Sequence, residues 1–427
     1  MVDGSSGKMG LASCVALIVG ACVGSAIFSI SGLTVWQAGP SAILSWILAA
    51  VIYFAYGLIV TELAGRYPRS GGVFIFPQRA IGGRKGPIWG FISAWGYIVS
   101  NIVAIAFSAI YFSIFLKAGF PGLESESILS IAACLLAFII LIPGGRQSQT
   151  IQNALVVVLL VTIAVYCLTA VSGGCIEADN FKGFFTSGNG GRIGFLSAVP
   201  LAIVAYGGSI VIAFIAGDVS KPKRNVPLAL ILGIGAVTLI YTAVIVTIVG
   251  TLPMESLEAS DELKLTPLLA SISDGSLSGF PFLTKLVSVS GAIALLTTMI
   301  ALLRVNARAI QAVSGENMLP PFLLHGNSKG APTSALCLMT VVCIALCFAG
   351  KWAMELISLG AVLNIITMSV TCIALMKSRG KVSLLPVAVI AVFLVCYIPE
   401  FARARLWIYT AAVYAAGAAV YAISKKR

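Results

Sequence analysis

The chain has 427 residues, of which 59% are hydrophobic and only 10% charged, and that balance leaves too little polar surface to coat a water-soluble globule. Its 27 Lys and Arg against 15 Asp and Glu give a formal charge of +12, yet the basic residues stand singly or in short clusters between apolar runs. That distribution excludes the concentrated basic face that nucleic acid requires.

A helix needs about 20 apolar residues to cross a hydrocarbon core of about 30 Å, and only helices satisfy the backbone of such continuously apolar runs in lipid. An outer-membrane barrel would instead show weakly alternating segments. The pattern predicts an all-α polytopic membrane protein with twelve transmembrane helices, at 9–37, 40–65, 87–117, 127–143, 148–172, 193–219, 226–250, 280–310, 332–350, 353–376, 383–400 and 406–424. The length of the first run and its Pro/Gly-punctuated continuation favour a retained span over a cleaved leader. With both termini placed on the cytoplasmic side, nineteen of the 27 basic residues fall inside and eight outside, as the positive-inside bias demands. The acids Glu255, Glu258, Asp261 and Glu262 cluster in an outside loop.

Most runs are uniformly apolar, but the first carries Gly20, Gly24 and Ser25 near its middle and the sixth carries Gly207, Gly208 and Ser209. Interruptions five spans apart point to a transporter built from two inverted repeats, with its site at their interface. Unwound backbone there offers free N–H and C=O groups at bilayer depth, and a half-helix N-terminus favours a carboxylate. Close helix packing is the competing reading, since Gly20 and Gly24 also form a GxxxG pair.

The ten cysteines include Cys14, Cys22, Cys134, Cys167, Cys337, Cys343, Cys347, Cys372 and Cys396 inside apolar runs, with no CxxC pair and one histidine, His325. Packing explains them better than metal or disulfide chemistry, so no metal and no cofactor is expected. Cys175, alone in an outside loop, identifies no partner subunit.

The segment TELAGRYPRSGGVFIFPQRAIGG, Thr61 to Gly83, closely resembles a loop signature of the amino acid–polyamine–organocation transporters. The sixth run and its exit, AYGGSIVIAFIAGDVSKPKRNVPLA, resemble the same family's second signature through Lys221, Pro222, Lys223, Arg224, Asn225, Val226 and Pro227. VNARAIQAVSGENMLPPFL, with Arg308 and Pro320, is a third match. The resemblance implies a five-plus-five inverted-repeat fold, with repeats near 9–172 and 193–376 and two further helices over 383–424, making one transporter domain of the whole chain. It also implies that a substrate's α-carboxylate and α-amine meet backbone at Cys22, Gly24, Ser25, Ala26 and Ile27, and at Val204, Ala205, Tyr206 and Gly207. WGYIVSNIVA is similar to the third helix of arginine/agmatine exchangers, which sets Gly96, Tyr97 and Asn101 beside the site; an interhelical hydrogen bond is the equal alternative for Asn101.

Two departures from the family pattern stand out. Its usual Gly-Ser-Gly is Gly24-Ser25-Ala26 here, adding a methyl where backbone meets carboxylate. Leu159 stands where many relatives place a lysine, so a lysine-based proton mechanism is not expected, and coupling to proton or sodium is left open. Thr297 and Thr298 offer hydroxyls, to which no ion is assigned. Val204 replaces a large aromatic gate, a role that Tyr206 can fill instead.

A buried charge in the bilayer costs at least ~2.5 kcal/mol, and the middles of the first, third, sixth, eighth and tenth runs contain no acid; Glu62 and Asp218 sit at cytoplasmic ends. The expected substrate is therefore a small to medium neutral amino acid, moved by alternating access in the inner or plasma membrane, with exchange, ion-coupled symport and uniport left open. A cationic amino acid or polyamine antiporter, or a sensor without flux, is the alternative. Asp218 paired with Arg304 or Arg308 is a candidate inside gate; the competing reading makes them interfacial charges. No HExxH, Gly-x-Ser-x-Gly or membrane-embedded acid or His pair supports an enzyme, and no filter motif supports a channel. With eight residues before the first run and three after the last, a signalling domain is not expected. A homodimer is left open.

Overall fold

The structure, a computed structural model, describes residues 9–67, 72–123, 125–143, 145–214, 219–259, 266–327, 331–348, 352–397 and 404–425. Asp218, Asp261 and Glu262 therefore lie outside the described residues, as does part of the Thr61–Gly83 signature. The described residues are all-helical, with one isolated parallel bridge between Met9 and Val219.

Within the first apolar run, α1 (Leu11–Cys22) stops at Val23 and α2 (Ser25–Ala38) starts after Gly24. A 3-10 turn over Gly39–Ser41 leads into α3 (Ala42–Arg66). Gly39 turns the chain at φ +60°, where a Cβ would press on Ser187 and Gly188, so glycine alone fits this close approach. Then come α4 (Gly72–Ile81), α5 (Gly86–Gly119), α6 (Glu126–Leu141) and α7 (Gly145–Ser172). The sixth run holds α8 (Gly194–Ala205), a 3-10 turn over Gly207–Ile210 and the short α9 (Val211–Phe214). The remainder is α10 (Pro222–Thr251), α11 (Met254–Ala259), α12 (Pro267–Ser273), α13 (Phe282–Gly315), α14 (Thr333–Cys347), α15 (Ala353–Arg379), α16 (Leu384–Cys396) and α17 (Ala404–Lys425).

Seven helical segments among the described residues are long and apolar enough to cross a membrane by length and composition. The outside of the bundle matches that reading: Leu239 is 75% exposed and Leu168 66%, which water would penalise and lipid does not. Helices α4, α11 and α12 lie in stretches that hydropathy alone treats as connections. Burial explains α4, because Val73, Phe74, Ile75 and Phe76 all pack inside, and Phe74 closes against Gly90 of α5.

Buried hydroxyls are mostly satisfied by the turn below. Ser31 donates to the Ile27 carbonyl at 2.6 Å, and Thr251 to that of Thr247 at 2.6 Å, a local solution available to any helix. The informative bonds cross between helices: Thr162 with Ser290 at 2.6 Å, Tyr166 with Ser271 at 2.8 Å, and Trp46 Nε1 donating to Thr34 Oγ1 at 2.8 Å. Such contacts act as glue where lipid leaves helices no hydrophobic reason to associate.

Candidate functional site

The two interrupted runs meet. Tyr241 of α10 donates its hydroxyl to the Cys22 carbonyl at 2.6 Å and lies 3.2 Å from the Ala205 carbonyl, so one side chain ties together the ends of α1 and α8. Cys22 Sγ donates to the Tyr206 carbonyl at 3.8 Å. A Cβ on Gly208 would run into the backbone of Ala21, so a glycine is needed where the two breaks cross. These contacts draw on carbonyls that an uninterrupted helix would keep for itself.

The N-terminus of α2 faces α13. The Ser25 N–H donates to Thr298 Oγ1 at 2.9 Å, and Thr298 donates in turn to the Ala294 carbonyl at 3.0 Å. A Cβ on Gly24 would lie 2.6 Å from Thr298 Oγ1, so the glycine keeps the helices close enough for that bond.

A cavity of about 210 Å³ opens at this junction, below the roughly 300–1,000 Å³ of pockets for drug-sized ligands. Of the residues singled out in the sequence, Cys22, Gly24, Ser25, Ala26, Tyr97, Asn101, Val204, Ala205 and Gly207 line it. Ile27 does not and is fully buried. Gly96 packs against Tyr414, Thr367 and Leu363. The ring of Tyr206 is buried beside Trp46, Tyr53 and Tyr241, its hydroxyl donating to the Trp46 carbonyl at 3.2 Å, so it does not stand in the cavity as an aromatic gate.

The wall also contains Tyr53 and Tyr56 of α3, Gln152 of α7, Thr297 and Thr298 of α13, and Asn364 and Thr367 of α15. Sequence reasoning missed Tyr53, Tyr56, Gln152, Asn364 and Thr367. Gln152 and Asn364 are amides within apolar runs, and the cost of burying an amide in lipid was the available signal. Asn101 serves both of its readings: it lines the cavity, and its Nδ2 donates to Asn306 Oδ1 on α13 at 3.3 Å. Asn306 Nδ2 donates onward to the Ile98 carbonyl at 2.9 Å.

No charged side chain is among the lining residues. The arrangement can bind a polar solute through backbone ends, hydroxyls and amides. Among the described residues no three His, Cys, Asp or Glu converge as a metal site would require.

Of the proposed gate residues, Arg304 and Arg308 are not among the lining residues of this wall. Arg304 is half-buried and Arg308 exposed, the latter donating to Gln311 Oε1 at 3.4 Å, and Asp218 is outside the described residues. A different ion cluster joins the ends of α3 and α15. Glu62 accepts from Arg66 at 2.8 Å and from Arg379 Nε at 2.8 Å, with a second, shorter contact to Arg379. Arg66 also donates to the Ser378 carbonyl at 3.0 Å.

The chain is 22% identical over 390 residues to the branched-chain amino acid permease BcaP of Lactococcus lactis, covering 86% of this chain and 81% of that one. It is 30% identical over 266 residues to the aspartate–proton symporter of Bacillus subtilis, covering 59% and 49%. It is 26% identical over 293 residues to the serine/threonine exchanger SteT of Bacillus subtilis, covering 67% and 63%. The amino acid permease family pattern matches residues 9–423, and the chain belongs to that family: it is a membrane transporter of the amino acid–polyamine–organocation superfamily and not an enzyme.

Proposed function

We propose that this permease carries small to medium neutral L-amino acids across the inner or plasma membrane by alternating access, as an exchanger. The single observation behind the substrate class is the uncharged cavity at the two helix breaks. A cationic or anionic side chain entering it would lose its hydration without meeting an opposite charge. A zwitterion's own carboxylate and ammonium have the ends of α2, α1 and α8 to meet.

In this reading the Ser25 N–H, now held by Thr298, and the N–H groups beside it receive the carboxylate. Carbonyls around Cys22, Val204 and Ala205 receive the ammonium, and Asn101, Tyr97 and Asn364 select the side chain. The reading keeps twelve spans, two five-helix repeats and both termini in the cytoplasm, supported by the matched interruptions of the first and sixth runs and by the bias of basic residues. BcaP and SteT are named for neutral amino acids, which fits the same substrate class. The aspartate–proton symporter is named for an acidic one, and nothing lining this cavity would match that charge.

The test is uptake of labelled neutral, cationic and anionic amino acids into proteoliposomes, with and without unlabelled amino acid inside. Neutral uptake stimulated from the opposite side supports the proposal. Transport confined to Arg, Lys or polyamines refutes the substrate class, and binding without flux refutes transport.

A further inference from the structure

A second cavity, of about 380 Å³, lies between the first third of α5, the middle of α15 and the second half of α17. Ile88, Phe91 and Ile92 of α5, Ile366 of α15, and Tyr414 and Tyr421 of α17 form its walls. It shares no lining residue with the central cavity.

The register of the two long helices fixes how this groove runs. Trp95 Nε1 donates to the Val413 carbonyl at 2.8 Å, and Gly417 lies directly against the Trp95 indole. One turn earlier on α5, Phe91 meets Tyr421 with ring centroids 4.9 Å apart. Helices α5 and α17 are therefore antiparallel, and one further turn sets Lys425 level with the start of α5, where Lys85 is exposed. Lys425 leans over the Tyr421 ring at 5.6 Å. The apolar interior thus ends beside Lys425, with the exposed Lys85 three residues before the groove's Ile88. From Lys425 back to Tyr414 is eleven helical residues, about 16 Å at 1.5 Å per residue, which is close to half of a hydrocarbon core of about 30 Å.

We propose that this groove is a binding site for one anionic phospholipid, an acyl chain lying along Ile88, Ile92, Ile366, Tyr414 and Tyr421 with the phosphate between Lys85 and Lys425. Three properties select this occupant together. The walls are apolar and aromatic, the depth is that of one leaflet, and Lys425 and Lys85 at that end are positive, complementing a phosphate without competing with the chain. Cations beside a headgroup region attract anionic lipid, and aromatic rings at that level are favourable partners for the glycerol and upper chain. Gly96 adds a consequence, because it separates Tyr414 of the groove from Thr367 of the central cavity: a Cβ there would lie 2.5 Å from the Tyr414 hydroxyl and 3.0 Å from Thr367 Oγ1. An acyl chain seated against Tyr414 therefore lies one side chain away from Thr367 in the wall of the substrate cavity.

The experiment uses the full-length protein in nanodiscs with phosphatidylglycerol or phosphatidylcholine carrying a photoreactive acyl chain, and labelled peptides are mapped by mass spectrometry. The expected result is labelling of peptides from α5 and α17 around Ile92 and Tyr421, favouring phosphatidylglycerol on the order of tenfold. Lys85→Gln with Lys425→Gln is expected to bring the two lipids to parity, and Ala418→Trp, at a residue that also lines the groove, to fill it and abolish the labelling. Equal labelling of wild type by both lipids would overturn the proposal, as would labelling elsewhere or cross-links showing a second copy of the chain in the groove. Lysine variants with unchanged selectivity would overturn it too.

Discussion

The hydroxyl of Tyr241 donates to the carbonyl of Cys22 at 2.6 Å, at the residue where α1 gives up its helix. The same ring meets Trp46 edge-on at 4.8 Å, so the group that satisfies the broken backbone is itself held by a buried aromatic cluster. Tyr241→Phe keeps the ring and removes the bond. Hydrogen bonds between membrane helices are worth about 0.6–2 kcal/mol, so the melting temperature is expected to fall little. Uptake is expected to fall several-fold, because a Cys22 carbonyl without its partner lets the break reorganise. Paired uptake and thermal-unfolding measurements check this, and a large loss of stability with full uptake would contradict it.

Gly24 and Thr298 form a size-matched pair. Gly24→Ala puts a methyl 2.6 Å from Thr298 Oγ1, and the helices must separate or the Ser25–Thr298 bond must break. Overpacking of this kind costs about 1–3 kcal/mol. The double variant Gly24→Ala/Thr298→Ala removes the obstructing oxygen and is expected to regain most of the lost stability. A double-mutant cycle on unfolding tests the coupling, and simple additivity would show that the contact is not what limits the site.

Asn101 and Asn306 separate binding from packing. Asn306 bonds both Asn101 and the Ile98 carbonyl and does not line the cavity, so Asn306→Ala is expected to lower stability by about 1–3 kcal/mol. Asn101→Ala exposes the cavity wall instead and is expected to raise the substrate KM at least several-fold with a smaller change in stability. Radiolabelled uptake at varied concentration reads the first quantity and thermal unfolding the second.

Glu62 is the shared acceptor of Arg66 and Arg379, which ties α3 to α15, two helices that both line the cavity. These side chains are 29–39% exposed, so solvent screening limits the cluster to about 1 kcal/mol. Glu62→Gln is expected to cost little stability but to change the rate of exchange, and Glu62→Arg with Arg379→Glu to restore it in part. Exchange rates measured in proteoliposomes decide this.

The sequence was most informative where a residue type conflicts with its surroundings. Glycines in the middle of an apolar run cost helix stability, and they mark the two interruptions at Val23–Gly24 and Tyr206–Gly207. Loop signatures and hydropathy likewise gave the all-helical membrane class. What stayed hidden was set by helix rotation, which hydropathy does not encode. Tyr206 sits in a break yet turns its ring toward Trp46, and Gly96 turns toward Tyr414, while Tyr53 and Tyr56 face the cavity from α3, whose sequence does not mark which face is inward. Thr298 was visible as a hydroxyl, but its role in holding the Ser25 N–H depends on a contact spanning 273 positions.

The central claim, that the junction of the two breaks binds a neutral amino acid, is tested most directly by ligand protection at Ser25. In Ser25→Cys, alkylation of the introduced thiol is followed by peptide mass spectrometry in the presence of neutral, cationic or anionic amino acids. The account predicts slower alkylation with small to medium neutral amino acids and no protection by arginine, lysine or aspartate. Protection by a charged amino acid alone, or by none although neutral substrates are transported, would contradict it.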